Sequence, residues 1–337
     1  MSFLVGDIGG TKTVLAFFEA LTNNFSTDNL KHQKSYHSSK YNSLEAIIKE
    51  YLNEFNLKIN RAVIAIAGPI SNGKSILTNL PWILEENIIR DEFNLENVKF
   101  LNDLESSAYF IPYLAESDLE ILQKGVEKKH QTIAVVSPGT GLGEAFLTWE
   151  TDHYVAHATE GGHTSFAPET DEQLQLLDYM KKTLNKRISV ERVCSGIGVK
   201  NIFDFLVSIG YFIEPTWLSD ELKSTNDPVA VILSTAALKP GKSNICDKAI
   251  ELFVSILGSE CGNLALKTMS LGGIYIGGGI PPKILPYITK TDFFLKFLLD
   301  KGRMTPLIET IPVKVIKNQN TTLLGCARYC FDASEKK

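Results

Sequence analysis

The 337-residue sequence is poor in cysteine, with only five, at positions 194, 246, 261, 326 and 330. They include no C-x-x-C pair, and the two that lie nearest each other, Cys326 and Cys330, have no histidine or further cysteine close by in the sequence. This pattern argues against a zinc site built on cysteine pairs. We interpret the cysteines as reduced thiols, which are typical of a cytoplasmic protein.

An excess of positive charge and long apolar runs are also lacking. Lys and Arg number 34 against 39 Asp and Glu, which gives a net charge of -5. Without a basic stripe, we expect no nucleic-acid partner and no attraction to an anionic membrane. No apolar run reaches the ~18 residues that a membrane span requires. The first predicted strand starts at residue 3, which leaves no room for a signal peptide.

The chain carries the composition and the alternating elements of an α/β protein, being 44% hydrophobic and 22% charged. Its length suits two domains. Short apolar runs predict strands, and helical spacing of apolar residues predicts helices, the first with Ser43 as N-cap. The predicted strands are 3–7, 13–18, 61–70 and 98–103, and the predicted helices are 43–55, 178–184, 200–210, 246–269 and 323–330. The stretch 131–150 reads as strand, glycine turn, strand, and 271–282 as strand, glycines and a helix start with proline, whereas 19–42 is polar and could hold an edge strand.

Two glycine-rich turns repeat one pattern. VGDIGGTKTVLAF and VSPGTGLGEAFLT each place glycines and a threonine between two apolar strands. Such tips can offer backbone N–H groups and a hydroxyl to phosphate oxygens, although ordinary glycine hairpins look the same. Neither matches a P-loop, and the first leads back into a strand, which does not fit a dinucleotide fingerprint.

Acidic residues follow two of the predicted strands. Asp7 ends the first strand, and the pair Asn102-Asp103 ends another. A carboxylate in hydrogen-bond reach of a hydroxyl can act as a general base. Asn-Asp is equally a common cap for a helix that begins near Leu104, and Asp7 could simply cap its own turn.

Several segments together carry a specific resemblance. LVGDIGGTKT and SPGTGLG resemble the two phosphate loops of the sugar kinase, Hsp70 and actin superfamily, and GGIYIGGGIPP resembles its adenosine loop. LTNLPW, LNDLESSA, TEGGHTSFAP, SVERVCSGIG and DKGRMTPLIETIPVKVI follow in the order of bacterial-type ATP-dependent glucokinases. The matching pieces run from residue 4 to about 330, so the resemblance covers nearly the whole chain.

The resemblance implies an α/β, two-domain actin/hexokinase-like (ribonuclease H-like) fold with an interdomain cleft. The small domain would be 1–112 joined by the C-terminal helix 319–337, and the large domain would be 113–318. The implied activity is phosphoryl transfer from ATP to the 6-hydroxyl of D-glucose, which gives ADP and glucose 6-phosphate. Relatives are often homodimers, and we expect a homodimer here.

Residue roles also follow from the resemblance. Asp103 would be the general base, and Asp7 would hold Mg²⁺ through water. Sugar contacts would come from Asn79, Asn102, Asp103, Glu160, His163 and Glu191. ATP would lie along Asp7, Gly9, Gly10, Thr11, Lys12, Gly139, Thr140, Gly141, Gly277, Gly278 and Gly279. Pro138 departs from the usual small residue and removes one N–H donor.

Two alternatives remain open. The chain could phosphorylate another hexose or hexosamine, or use another phosphoryl donor such as polyphosphate. In the wider repressor-and-kinase group an equivalent of His163 binds zinc, but that group's cysteine cluster is missing here, which favours a sugar contact. The second alternative, a sugar-responsive regulator, usually carries an added DNA-binding module, for which the early first strand leaves no N-terminal room.

Overall fold

The computed structural model describes residues 2–19, 25–77, 80–210, 214–239 and 241–335, and these fall into two units. The first unit contains the residues up to Ala115, the segment Tyr154–Ala158 and the residues from Asn318 onward. The second unit contains Glu116–His153 and Thr159–Lys317.

The first unit is built on a five-stranded sheet in the order β3-β2-β1-β4-β7. β1, β4 and β7 are parallel, and β2 and β3 run antiparallel to their neighbours. The strands are β1 (Ser2–Ile8), β2 (Lys12–Glu19), β3 (Leu30–His37), β4 (Arg61–Ile66), β5 (Lys74–Ile76), β6 (Ile83–Glu85) and β7 (Asn97–Asn102). The helices are α1 (Leu44–Glu54), α2 (Glu86–Glu92), α3 (Asp103–Phe110) and the C-terminal helix (Thr321–Glu335).

Side-chain alternation along β1 explains why this sheet is covered on both faces. Leu4 and Ile8 lie in a core cluster with α1, whereas Phe3 and Val5 lie in a second cluster with the C-terminal helix. Successive strand residues point to opposite faces, so an almost wholly apolar strand has to be buried on both. The C-terminal helix therefore completes the core that the first strand begins.

The second unit has strands in the order β10-β9-β12-β13-β8, with β9, β12 and β13 parallel. Its strands are β8 (Leu119–Gln123), β9 (Ile133–Pro138), β10 (Leu142–Glu150), β12 (Gly273–Ile276) and β13 (Val313–Ile316), while β11 (His153–Thr159) has its central residues in the first unit. Its helices are α4 (Asp171–Leu184), α5 (Gly196–Ser208), α6 (Thr216–Ser224), α7 (Pro228–Leu238), α8 (Asn244–Thr268), α9 (Leu285–Lys290), α10 (Phe293–Leu299) and α11 (Thr305–Glu309).

Helix α8 forms the centre of the second unit. Its length and hydropathy would suffice to cross a membrane, but 83% of its most apolar window is buried inside the protein. It belongs to the same core cluster as Ala134 and Val136 of β9 and Ile274 of β12. We therefore interpret α8 as the core helix against which this sheet packs.

Most of the predicted elements are present, and several differ in extent. The helices predicted over 178–184 and 200–210 begin earlier, at Asp171 and Gly196, and the helix predicted over 323–330 spans Thr321–Glu335. The strand predicted over 61–70 ends at Ile66, where Gly68 N–H already bonds to the Ile66 carbonyl (2.9 Å). The strand predicted over 98–103 ends at Asn102, because Asp103 opens α3. The helix predicted to start at the prolines after Ile280 begins only at Leu285. The edge strand suspected within 19–42 is β3, and residues 20–24 lie outside the described part of the chain.

Candidate active site

The first glycine turn is the tip of the β1–β2 hairpin. Gly9 N–H donates to the Lys12 carbonyl (2.9 Å) and closes the turn. Ser38 braces it from outside, because its hydroxyl donates to the Gly9 carbonyl (3.0 Å) and its N–H donates to the Thr11 carbonyl (3.1 Å). Thr11 and Lys12 are exposed. The tip is thus a braced loop with an exposed hydroxyl and an exposed ammonium group, which suits an anion.

Asn102 and Asp103 lie where β7 passes into α3. Asn102 is the N-cap, and its Oδ1 accepts from the N–H groups of Leu104 (3.0 Å) and Glu105 (3.2 Å). Glu105 closes the capping box through Oε2, which accepts from Asn102 N–H at 3.4 Å. Asp103 occupies the first helical position, and its Oδ1 accepts from Leu104 N–H at 2.9 Å. The capping interpretation is therefore correct for Asn102, and it also fixes Asp103 at the positive end of a helix.

Asp7 lies at the same edge of the sheet as Asp103. Asp7 pairs with Ala65 of β4, and Ile66 pairs with Asn102 of β7, so the carboxyl ends of three parallel strands meet there. Burial above all, together with the negative charge of Asp103, raises the pKa of Asp7 to about 7 against the opposing charge of Lys12. Two carboxylates close enough to repel form a set of hard oxygen donors that fits Mg²⁺.

The second glycine turn joins β9 to β10. Gly139 N–H donates to the Gly141 carbonyl (2.8 Å), and Gly196 N–H donates to the Gly139 carbonyl (2.8 Å). Glu191 lies directly behind it, because its Oε2 accepts from Leu142 N–H at 3.1 Å. A Cβ on Gly141 would come within 2.5 Å of that oxygen, so glycine is required for this close approach. Thr140 is exposed at the tip.

The third glycine turn follows β12 and lies against the second. Gly277 N–H donates to the Val136 carbonyl at 2.9 Å. Gly278 has a φ of +82°, and a Cβ there would lie 2.4 Å from the Pro138 carbonyl oxygen. Both facts exclude a side chain at this position. Gly279 is exposed. The second unit therefore presents two adjoining glycine turns at the carboxyl ends of its parallel strands, where ligands of α/β sheets commonly bind.

The E-G-G-H segment forms a 3-10 turn over Gly161–His163, which packs on β10. His163 Nε2 lies 3.7 Å from Glu160 Oε2, and His163 Nδ1 lies 3.9 Å from Glu191 Oε1. The Glu160 and His163 side chains are 79% and 60% exposed, whereas that of Glu191 is 22% exposed. The structure thus brings together three residues that are separate in the sequence. They form a polar surface of two carboxylates and an imidazole, which can bind adjacent hydroxyls.

Sequence reasoning missed two residues of these sites. Ser38 braces the first glycine turn, but it lies in the polar segment 19–42, where no motif marks it. Glu144 lies buried beneath the E-G-G-H turn. Its position was readable, since an acidic residue two places after Leu142 falls on the inward face of β10. Asn79, predicted as a sugar contact, lies outside the described residues.

Comparison with known proteins gives a consistent result over the full length. The glucokinase family model matches residues 4–333. The glucokinase of Nostoc punctiforme is 40% identical over 96% of this chain and 97% of its own length. Among solved structures, a glucokinase from an Antarctic psychrotroph superposes with a TM-score of 0.81 at 30% identity, covering 98% of this chain and 99% of that one.

A more distant structure supports the fold alone. A ROK family glucokinase from Streptomyces griseus, solved with glucose and AMPPNP, has a TM-score of 0.66 at 15% identity over 98% of this chain and 99% of its own. The predicted actin/hexokinase-like α/β fold is thereby confirmed. The glycine turns, the capped Asn102-Asp103 pair and the E-G-G-H turn, read together with these matches, show that the chain belongs to the glucokinase family.

Proposed function

We propose that the chain is an ATP-dependent glucokinase that transfers the γ-phosphoryl group of ATP to the 6-hydroxyl of D-glucose. The observation that carries this proposal is the position of Asp103, a carboxylate at the first turn of α3 beside the capping residue Asn102. The family match and the names of the relatives support the choice of substrate.

Asp103 supplies the base in this mechanism. A sugar hydroxyl is a weak nucleophile at neutral pH, and a positioned carboxylate that removes its proton contributes typically ~10²–10⁴ in rate. As O6 bonds to the γ-phosphorus, the bond from that phosphorus to the β–γ bridging oxygen breaks and ADP leaves. The proton of the 6-hydroxyl passes to Asp103. The helix N-terminus favours the ionised form of Asp103 that this step needs.

The glycine turns take the phosphates in this proposal. The phosphate contacts are Gly9, Gly10, Thr11, Lys12, Gly139, Thr140 and Gly141, and the adenosine contacts are Gly277, Gly278 and Gly279. Asp7 would hold Mg²⁺ through water, and the ion would neutralise charge on the transferring phosphoryl group. Hydrogen bonds brace each glycine turn, so little rearrangement should be needed when an anion binds.

The proposed sugar contacts are Asn79, Asn102, Asp103, Glu160, His163 and Glu191. A carboxylate accepts from two adjacent hydroxyls, which suits a polyol. We further propose the domain division 1–112 with 319–337 and 113–318, a cytoplasmic location, a homodimer, and no nucleic-acid or membrane partner.

A coupled assay of ADP release tests the activity. The purified chain is supplied with glucose, mannose, fructose or N-acetylglucosamine, each with ATP and Mg²⁺, and with polyphosphate in place of ATP in a parallel series that measures glucose 6-phosphate directly. We expect turnover with glucose and ATP to exceed every other pair. A preference for another hexose or for polyphosphate would replace the substrate assignment, and absence of phosphorylation of any sugar would overturn the proposal.

A further inference from the structure

One buried carboxyl group in the second unit has no part in the proposed chemistry. Glu144 of β10 is 2% exposed, and its Oε1 has no hydrogen-bond partner. A buried polar atom without a partner is costly, and it calls for a physical explanation. Glu144 follows the second glycine turn, so this cost falls close to the proposed site.

The side chain of Glu144 directly supports the E-G-G-H turn. A Cβ on Gly161 would lie 2.0 Å from Glu144 Oε2 and 2.8 Å from its Cδ, so the carboxyl group occupies the space beneath Gly161. The backbone is tied as well, because the Thr159 hydroxyl donates to the Glu144 carbonyl (2.8 Å) and accepts from Gly161 N–H (3.1 Å). Glu160 and His163 flank the two glycines of the turn, of which Gly161 rests on this carboxyl group.

The surroundings of Glu144 favour its neutral form. Helix α8 brings up Glu260, Cys261 and Lys267, and the segment before α5 brings up Cys194. Glu260 forms an ion pair with Lys267, whose Nζ lies 3.5 Å from Glu260 Oε1. The other carboxyl oxygen, Glu260 Oε2, accepts from Asn263 Nδ2 at 3.3 Å.

The positive charge of Lys267 thus acts on two buried carboxyl groups, those of Glu144 and Glu260. Burial above all, together with the charge of Glu260, raises the pKa of Glu144 to about 7 against the opposing charge of Lys267. The turn above carries two more titratable groups, Glu160 and His163.

We propose that Glu144 is a positioning residue that holds the turn Glu160–His163 while it is protonated, and that its ionisation displaces the turn and weakens glucose binding. The inference rests on the proposed function, which assigns Glu160 and His163 to the sugar. A buried carboxylate needs solvation, and the nearest way to admit water is to lift the glycine turn that covers it. Phosphates bound at the glycine turns are not held by this turn, so nucleotide affinity should change little.

Kinetics of three forms test the proposal: the native chain, Glu144→Gln and Glu144→Ala. Glucose KM and ATP KM are measured from about pH 5.5 to about pH 9. We expect the native glucose KM to rise at least about fivefold as the pH passes through the neutral range, while Glu144→Gln stays flat, since an amide keeps the shape and cannot ionise. Glu144→Ala should have a raised glucose KM at every pH. His163 and Glu160 are unchanged in all three forms, so their own titration cannot produce a difference between them.

A double-mutant cycle gives an independent test of the contact. Gly161→Ala should raise glucose KM about tenfold in the native background, because its Cβ meets the Glu144 carboxyl group. In the Glu144→Ala background that carboxyl group is gone, and the same substitution should cost clearly less. Additive effects would overturn the proposal.

The outcomes separate this inference from the function on which it rests. If the native chain phosphorylates glucose but its glucose KM follows the same pH profile as that of Glu144→Gln, then Glu144 is only structural and the inference is wrong. If glucose is not phosphorylated at any pH, the proposed function itself is wrong. A variant that fails to fold is recognised by circular dichroism, and the isosteric Glu144→Gln then carries the test.

Discussion

At the scale of single residues, Asp103 shows how a structural role and a chemical role occupy neighbouring positions. Asn102 caps α3 by accepting from two backbone N–H groups, and the Glu105 side chain accepts in turn from Asn102 N–H. The helix start is therefore held mainly by residues other than the proposed base. The carboxylate of Asp103 can be altered while most of the cap remains, which makes its role testable.

The first prediction compares Asp103→Asn with a matched change in the same cap, Glu105→Gln. Asp103→Asn should lower kcat by at least ~10², because the amide cannot accept the proton of the 6-hydroxyl. Glu105→Gln should stay within about threefold of native turnover, since a glutamine oxygen still accepts from Asn102 N–H. ADP release gives kcat, and calorimetric titration shows whether glucose still binds. Near-native turnover of folded Asp103→Asn would remove the assignment of Asp103 as the base.

A second prediction concerns the pH dependence of stability at Glu144. Its pKa is about 7 in the folded chain against 4.5 for an ordinary glutamate. As pH rises through this interval the unfolded chain loses the proton first, so the folded state binds more protons and the free energy of unfolding falls. The total loss is on the order of 3 kcal/mol, and it is complete above the folded pKa.

Glu144→Gln has no such loss, so its stability relative to the native chain should increase between about pH 5 and about pH 8 in urea unfolding. The control is Glu116→Gln at an exposed position, which should follow the native curve. A constant difference between Glu144→Gln and the native chain across the pH range would show that Glu144 is ionised throughout.

At the scale of elements, helix caps and glycine turns could be predicted from the local sequence. Packing between elements that are far apart in the sequence could not. Ser43 was predicted as an N-cap, and its Oγ accepts from Ala46 N–H (3.3 Å) at the start of α1. The glycine hairpins followed from composition in the same way. The burial of Glu144 depends on α8, which is remote in the sequence, and so its supporting role could not be predicted from local pattern alone. β3 was hard to place because an edge strand with one exposed face carries few apolar residues.

The third prediction concerns the contact between α3 and the C-terminal helix. A Cβ on Gly325 would lie 1.8 Å from the Ser106 carbonyl oxygen, so the two helices touch at this glycine. In an ordinary helix, Gly→Ala stabilises by up to ~1 kcal/mol. Here Gly325→Ala should instead destabilise by about 1–3 kcal/mol, because the helices must separate.

Urea unfolding measures this change, and kcat should fall as well since α3 carries Asp103. Ala333→Ser on an exposed position of the same helix is the control and should change stability by less than about 0.5 kcal/mol. A stabilised Gly325→Ala variant would mean that the helices do not pack this closely.

At the scale of the whole molecule, the first unit is made from both ends of the chain. Leu323, Leu324 and Ala327 of the C-terminal helix share a core cluster with Phe3 and Val5 of β1. The main core cluster of the second unit is drawn from residues between 134 and 315 and needs neither end. The core of the first unit therefore needs residues from both ends of the chain, whereas the main core of the second unit needs neither.

The fourth prediction follows from this difference. Removal of the residues from Asn318 onward should expose the apolar face of β1 and unfold the first unit, while the second unit persists as a protease-resistant fragment. Limited proteolysis with mass spectrometry identifies the surviving fragment, and dye binding reports exposed apolar surface. Removal of residues 336–337 alone is the control and should leave the native pattern. Resistance of the first unit in the longer deletion would contradict this account of its core.

Because the C-terminal helix covers one face of β1, the two parts of this core are synthesised at different times. During synthesis β1 leaves the ribosome long before the helix that covers one of its faces. At roughly 5–20 residues per second the interval is on the order of 20 seconds or more. For that period one face of the N-terminal sheet is apolar and uncovered, which is the condition under which nascent chains aggregate. The first unit can finish folding only after the C-terminal helix has been synthesised, so the N-terminal half of a newly made chain should depend on chaperones until that helix is available.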